Sequence, residues 1–285
     1  MDILRVAVFG AGQMGSGIAQ VFAQAGLDVV LIDTEPGFVD RGMQTIVKYL
    51  GRSAEKKKIT AKERDDSLAR IRGTTNAHEA AGCGLVLEAI IEDRQLKQTL
   101  FRELDAMLPP EVVFASNTSS ISITSLAAAT KRPALFVGMH FFNPVPVMKL
   151  VEVIRGAQTS DETMAVIHGL CQRLGKTPVE VRDFPGFISN RILMPYLNES
   201  MFALMEGVAT KEAIDAIAKL GFNQSMGPLE LADFIGLDTC LHIMEVLYDG
   251  FRDPRFRPCP LLRQMVAAGQ HGRKSGRGFY DYSSA

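Results

Sequence analysis

A glycine-rich turn directly after the first apolar stretch constrains the fold of this chain more than any other feature. Residues Arg5 to Phe9 are typical of a strand, and the sequence GAGQMG follows at once at positions 10–15. An apolar helical pattern then begins near Ile18, and a second strand, Asp28 to Ile32, ends just before Asp33. Strand, turn, helix, strand and acid in this order predict a βαβ unit that binds a dinucleotide.

Each glycine of the turn has a separate predicted role. Gly10 permits the tight turn, Gly12 lets the backbone approach a pyrophosphate, and Gly15 lets the helix pack closely against the strand. The start of the helix offers N–H groups and a partial positive charge to the same pyrophosphate. Asp33 is placed to accept a hydrogen bond from a ribose 2′-hydroxyl, which favours NAD over NADP.

Size and composition indicate a globular protein of two domains. The chain has 285 residues, of which 47% are hydrophobic and 22% charged. A formal net charge of −1 gives no reason to expect nucleic acid or a membrane surface as a partner, and no apolar run approaches the ~20 residues of a membrane span. Four scattered cysteines without CxxC spacing predict reduced thiols, with neither disulfides nor a metal site. Because the first strand leaves no room for a signal peptide, we expect a cytoplasmic protein.

The pattern of predicted elements changes near residue 183. Before it, strands and helices alternate, with a helical arm at about residues 38–71. After it, the pattern is helical throughout. We therefore predict an α/β Rossmann-type dinucleotide-binding domain over residues 1–183 and an all-α domain over residues 184–285. Beyond the first two strands, the predicted strands are 85–90, 112–115, 134–139, 148–154 and 177–181.

Polar residues next to the predicted strand ends are the first candidates for catalysis. Ligands of an open parallel sheet bind beyond the carboxyl ends of its strands, so residues 88–92, 117–119 and 140–143 are expected to face the crevice of the glycine turn. His140 alone among five histidines has such a position, and it could accept a proton from an alcohol as hydride leaves the same carbon. Glu152 on the next strand could orient its ring. From the residues alone, a histidine that is merely packed before a turn is an equally open interpretation of His140. For Glu152, a solvated carboxylate on the strand face is the commoner fate of such a residue.

With these residues assembled, the chain closely resembles the L-3-hydroxyacyl-CoA dehydrogenase family, which includes short-chain 3-hydroxybutyryl-CoA dehydrogenases. The resemblance covers essentially the whole chain. It depends on GAGQMGSGIA at 10–19, LVLEAIIED at 85–93, FASNTSS at 114–120, GMHFFNPVPVMKLVEVI at 138–154, DFPGFISNRIL at 183–193, MGPLELADFIGLD at 226–238 and GRKSGRGFYDY at 272–282. It implies a second domain like the C-terminal domain of 6-phosphogluconate dehydrogenase, and a homodimer formed through that domain.

The resemblance also implies roles for particular residues. His140 matches the catalytic histidine and Glu152 its acidic partner, while Ser119 and Asn190 match groups that hydrogen-bond the substrate oxygen. The positions that match NAD contacts are Gly10, Gly12, Gly15, Asp33, Glu92, Lys97, Ser119, Asn143 and Lys274. The cluster Lys56, Lys57 and Lys58 corresponds to a helical arm that contacts CoA phosphates in the family. The resemblance does not indicate which of the three lysines makes the contact. Tyr49 stands where some relatives have a serine in that arm.

The implied reaction is the reversible, NAD-dependent oxidation of a (3S)-3-hydroxyacyl-CoA to the 3-oxoacyl-CoA, with a short acyl chain such as 3-hydroxybutyryl. Other substrates stay open: 3-hydroxyadipyl-CoA, or a free 3-hydroxy acid as in the 6-phosphogluconate and 3-hydroxyisobutyrate dehydrogenases. A nucleotide-binding structural protein that has lost its activity is the non-enzymatic alternative. The presence of Ser119, His140, Glu152 and Asn190 is an observation against that alternative.

Overall fold

The chain divides into two compact units, Met1–Asp183 and Phe184–Ala285, in a computed structural model that describes residues 3–283. The first unit is built around one eight-stranded sheet, and the second from α-helices joined by short turns. Within residues 3–283, no helix is long and apolar enough to cross a membrane.

The sheet of the first unit has the strand order of a dinucleotide-binding fold, extended at one edge. Its strands are β1 (Arg5–Phe9), β2 (Asp28–Ile32), β3 (Ile71–Thr74), β4 (Leu85–Glu88), β5 (Val113–Ser116), β6 (Phe136–Phe141), β7 (Leu150–Arg155) and β8 (Thr177–Arg182). They lie in the order β3-β2-β1-β4-β5-β6-β7-β8. Strands β1 to β6 are parallel, β7 pairs antiparallel with β6, and β8 pairs parallel with β7. The order reverses between β1 and β4, which is where such sheets bind ligands.

Helices cover this sheet, and side chains fix several of their starts. The helices are α1 (Gln13–Gln24), α2 (Pro36–Glu55), α3 (Ala61–Ala69), α4 (Arg94–Met107), α5 (Ile123–Ala127) and α6 (Asp161–Arg173). Thr60 and Glu63 form a capping box at α3, and Asp93 and Ser160 cap α4 and α6. Every residue of β4 and β5 is buried, which explains why both strands begin with three apolar residues.

Several predicted boundaries in the first unit are shifted by one or two residues, and two of the differences matter for the fold and the proposed site. The helical arm ends at Ala69, and Ile71 belongs to a strand that was not predicted. That strand reads Ile-Arg-Gly-Thr and buries only its first residue, so it has almost no apolar pattern to identify it. In addition, β6 continues to Phe141, so His140 lies within the strand and not after it.

The second unit packs its helices around a separate apolar core. The helices are α7 (Ser189–Met205), α8 (Lys211–Gly221), α9 (Pro228–Ile235), α10 (Leu237–Phe251) and α11 (Pro260–Ala267). Leu197, Leu229 and Leu247 are among the side chains buried in that core. The buried Asp233 accepts hydrogen bonds from the N–H groups of Phe279 and Tyr280, both at 2.9 Å, and so fastens the C-terminal segment to α9.

Candidate active site

The glycine turn between β1 and α1 is shaped by close backbone contacts at two of its glycines. Gly10 has a φ of +99°, and a Cβ there would overlap the carbonyl oxygen of Ala89. A Cβ on Gly15 would overlap the carbonyl oxygen of Gly10. At Gly12, by contrast, no described heavy atom beyond its neighbours lies within 4 Å of a Cβ position, and no described side chain caps α1. This open space at a helix N-terminus fits the pyrophosphate of a dinucleotide.

Asp33 lies beside the turn at the end of β2. Its Oδ2 accepts a hydrogen bond from the N–H of Ala11 at 2.7 Å, and its Oδ1 accepts one from the N–H of Thr34 at 2.7 Å. These bonds fix the carboxylate next to the glycines. Because a carboxylate oxygen can accept two hydrogen bonds, this arrangement is compatible with a ribose hydroxyl as a further donor.

Glu92 connects the loop after β4 with the loop after β5. Its Oε1 accepts hydrogen bonds from the Thr118 hydroxyl at 2.6 Å, the Ser119 N–H at 3.0 Å and the Ser120 hydroxyl at 3.2 Å. Burial disfavours the charged form of Glu92, but the nearby charge of Lys97 and these hydrogen bonds outweigh it and lower the pKa of this carboxyl group. Ser119 is therefore held by an ionised side chain.

Lys97 lies behind Glu92 in a buried charge cluster. Its side chain is 1% exposed, and its Nζ lies 2.5 Å from Glu88 Oε1 and 3.3 Å from Glu92 Oε2. Glu88 also accepts a hydrogen bond from the Ser116 hydroxyl at 2.6 Å, and burial raises the pKa of Glu88. The ammonium of Lys97 is thus surrounded by protein acceptors. This geometry supports an indirect contribution of Lys97 to the cofactor site, through the orientation of Glu92.

His140 and Glu152 are directly opposite each other on β6 and β7. The Nδ1 of His140 lies 2.8 Å from Glu152 Oε2, and the side chain of Glu152 is 1% exposed. A carboxylate can only accept a hydrogen bond, so it keeps the proton of the neutral ring on Nδ1 and makes Nε2 the basic nitrogen. Two residues that lie 12 positions apart in the sequence therefore form a hydrogen-bonded pair with an oriented imidazole where β7 pairs with β6.

Asn143 lies next to the glycine turn. Its Oδ1 accepts a hydrogen bond from Gln13 Nε2 at 3.2 Å, and its bond to Pro144 is cis. No individual role was predicted for Gln13, Glu88 or Thr118. Gln13 lies inside the glycine motif, and Glu88 and Thr118 lie inside the segments 88–92 and 117–119, so sequence signals for all three were present.

The remaining predicted residues lie elsewhere in the two units. Asn190 is buried in the first turn of α7, and the Nζ of Lys274 donates a hydrogen bond to Asp238 Oδ2 at 2.6 Å, both within the second unit. The three lysines of residues 56–58 are exposed and directly follow α2. Their geometry favours no single one of them as a phosphate ligand. Tyr49 is exposed on α2.

Comparisons with known proteins cover nearly the whole chain. The family model described as "3-hydroxyacyl-CoA dehydrogenase, NAD binding domain" matches residues 5–184, and "3-hydroxyacyl-CoA dehydrogenase, C-terminal domain" matches residues 186–282. A probable 3-hydroxybutyryl-CoA dehydrogenase of Deinococcus radiodurans is 59% identical over 98% of this chain and 100% of the relative. A 3-hydroxybutyryl-CoA dehydrogenase of Bradyrhizobium diazoefficiens is 53% identical over 99% of this chain and 97% of the relative. The crystal structure of (S)-3-hydroxybutyryl-CoA dehydrogenase from Ralstonia eutropha is similar with a TM-score of 0.97 and 50% identity, covering 99% of this chain and 100% of that one.

Two glycine variants separate the structural from the binding role of the turn. We expect Gly15→Ala to destabilise the first unit, because its methyl group would meet backbone and not a flexible side chain. Gly12→Ala should fold normally and weaken dinucleotide binding by about tenfold or more, because its methyl group enters the open space. Thermal unfolding and NADH fluorescence titration measure the two effects. Undiminished NADH binding by Gly12→Ala would contradict the placement of the pyrophosphate.

Proposed function

The chain belongs to the 3-hydroxyacyl-CoA dehydrogenase family of NAD-dependent oxidoreductases, and we propose that it reversibly oxidises (3S)-3-hydroxybutyryl-CoA to acetoacetyl-CoA. Family membership confirms the predicted fold class, a Rossmann-type domain followed by an all-α domain, and NAD as the cofactor. The observation that carries the proposed chemistry is the 2.8 Å contact between His140 and Glu152. The four-carbon substrate is supported by the names of relatives that are 53% and 59% identical.

His140 is the proposed proton acceptor. Its Nε2 takes the proton of the substrate's 3-hydroxyl group, and Glu152, bonded at Nδ1, stabilises the imidazolium that forms. In the reverse direction the same imidazolium returns the proton to the 3-oxo oxygen. NAD supplies the hydride acceptor when it is bound.

Ser119 and Asn190 are the proposed hydrogen-bond donors to the substrate oxygen. Donors that are fixed before the reaction stabilise the developing alkoxide without reorganisation in the transition state. The backbone of Ser119 is anchored by Glu92, which supports this role. For Asn190, the role of hydrogen-bond donor is proposed because this residue matches the family motif in residues 183–193.

The other proposed contacts are with NAD and with CoA. Asp33 would bind the adenosine ribose of NAD. Glu92, in the loop after β4, and Asn143, in the turn after β6, are further proposed contacts of NAD. Lys274 is proposed from its match to the family motif alone. The exposed lysines of residues 56–58 would attract the phosphates of CoA. Their three charges at the end of α2 support a thioester of CoA, in preference to a free hydroxy acid, as the substrate.

The cysteines support a reducing compartment, and we place the protein in the cytoplasm. Cys83, Cys171, Cys240 and Cys259 are all free and buried. Burial raises the pKa of the Cys83 thiol to about 11 and the pKa values of Cys171 and Cys240 to about 12. These thiols stay protonated at neutral pH and are poor nucleophiles, as structural cysteines are.

A homodimer through the second unit is also proposed. Three large apolar side chains, Ile217, Leu220 and Phe222, are exposed on α8 and at its C-terminal end, and Leu220 is 88% exposed. Apolar side chains concentrated on one surface element mark interaction sites. A second copy of the chain would cover them.

Removing the imidazole tests the proposed base. We expect His140→Ala to lower kcat by ~10²-fold or more with NADH binding retained, because only proton transfer is lost. NADH consumption with acetoacetyl-CoA measures kcat, and fluorescence titration measures binding. His168→Ala, on α6, is the matched control. Near-normal turnover by His140→Ala would refute the assignment.

Removing the Asp33 carboxylate tests cofactor discrimination. We expect Asp33→Ala to raise the KM for NADH by about tenfold and to reduce the preference for NADH over NADPH. The carboxylate that accepts a hydrogen bond from the ribose is lost, and so is its repulsion of a 2′-phosphate. Asp40→Ala changes an exposed acid on α2 and should leave the KM for NADH and the preference for NADH over NADPH unaltered. A wild-type protein that already prefers NADPH would contradict the ribose assignment.

A charge at Leu220 tests the proposed dimer. We expect the wild-type protein to sediment as a dimer and Leu220→Glu to sediment mainly as a monomer, because burying an unpaired carboxylate is costly. Gln264→Glu adds the same charge at an exposed position of α11 and should remain dimeric. A monomeric wild-type protein in analytical ultracentrifugation would exclude the dimer.

A further inference from the structure

A buried lysine outside the proposed catalytic set holds the turn between β6 and β7. Lys176 directly precedes β8 and is 8% exposed. Its Nζ donates hydrogen bonds to the carbonyl oxygens of Val145 and Met148, each at 2.6 Å. A buried ammonium is costly unless it is hydrogen-bonded, and here backbone carbonyl groups serve as its partners.

These carbonyl groups belong to a turn with few backbone N–H donors. Residues 143–148 include Pro144 and Pro146, neither of which has an N–H group. The N–H groups of Val147 and Met148 both donate to the carbonyl oxygen of Pro144. The carbonyls of Val145 and Met148 converge on one point, where a single cationic donor satisfies both.

The other side of the turn contacts the dinucleotide-binding elements. The buried Val145 packs against α1 so closely that a Cβ on Gly17 would lie 3.0 Å from the Cβ of Val145. Asn143, at the start of the turn, is bonded to Gln13 of the glycine turn at 3.2 Å. The turn therefore lies between Lys176 on one side and the start of α1 on the other.

We propose that Lys176 is a positioning residue for the dinucleotide site, which keeps Asn143 beside the glycine turn by fixing residues 143–148. The inference depends on the proposed function only in treating Asn143 as a cofactor contact. Its effect falls on cofactor binding, because His140 and Glu152 are held separately by the pairing of β6 with β7 and by their own hydrogen bond.

Lys176→Met is the direct test, since it removes the donor and retains an apolar stem. We expect the NADH dissociation constant from fluorescence titration to rise by about tenfold, because a small displacement of a binding group is sufficient for such a loss. The KM for NADH should rise in parallel, with kcat at saturating NADH changed by less than about twofold. Lys176→Arg, whose guanidinium can donate to both carbonyls, should restore most of the affinity.

Two controls separate positioning from general stability. Lys149→Met removes an exposed lysine that follows the same turn, and it should bind NADH normally. Leu104→Ala creates a cavity in α4 and should lower the melting temperature without a change in NADH affinity. An unchanged NADH dissociation constant in Lys176→Met would overturn the inference, even if that variant melts earlier.

The remaining outcomes are also decisive. If Lys176→Met does not fold, Lys176→Gln is titrated in its place, with weakened binding expected and unchanged binding contradicting the inference. A wild-type protein that binds NADH without reducing acetoacetyl-CoA would contradict the proposed function alone, because the titration measures binding and not turnover.

Discussion

The antiparallel pairing of β7 with β6 is the constraint on which the proposed chemistry depends. Residues opposite each other in such a pair have Cβ atoms about 4.5–5.5 Å apart, close enough for two side chains to bond without help from a loop. The register places Glu152 opposite His140, so the orientation of the imidazole is built into the sheet. A purely parallel continuation of the sheet would need a long crossover between the two strands.

The parallel part of the sheet supplies the other half of the site. Because β1, β4, β5 and β6 end at the same edge, the glycine turn, Glu92, Ser119 and the start of the Asn143 turn all follow strand ends at that edge. Two buried ammonium groups support this edge. Lys97 holds Glu92, and Lys176 holds the turn that begins at Asn143. The loops of the proposed site are thus fixed by two buried ammonium groups.

Local sequence patterns predict the parts of this site that are local. The close packing at Gly15 and the position of Asp33 beside the turn follow from local spacing, because both depend on contacts within one βαβ unit. The proximity of His140 to Glu152 was predicted from the short turn between their strands. The edge strand that begins at Ile71 could not be predicted, because it is defined by its pairing with β2 and not by an apolar pattern. The burial of Lys97 and Lys176 was equally inaccessible, because a lysine is expected to be exposed until its buried acceptors are known.

The most direct test of the central claim is the wild-type rate of NADH oxidation with acetoacetyl-CoA, compared with the rate with acetoacetate. A site with an oriented His140 and a CoA-binding arm predicts rapid loss of NADH absorbance with the thioester and little with the free acid. Absence of NADH loss with acetoacetyl-CoA, or an equal rate with acetoacetate, would contradict it.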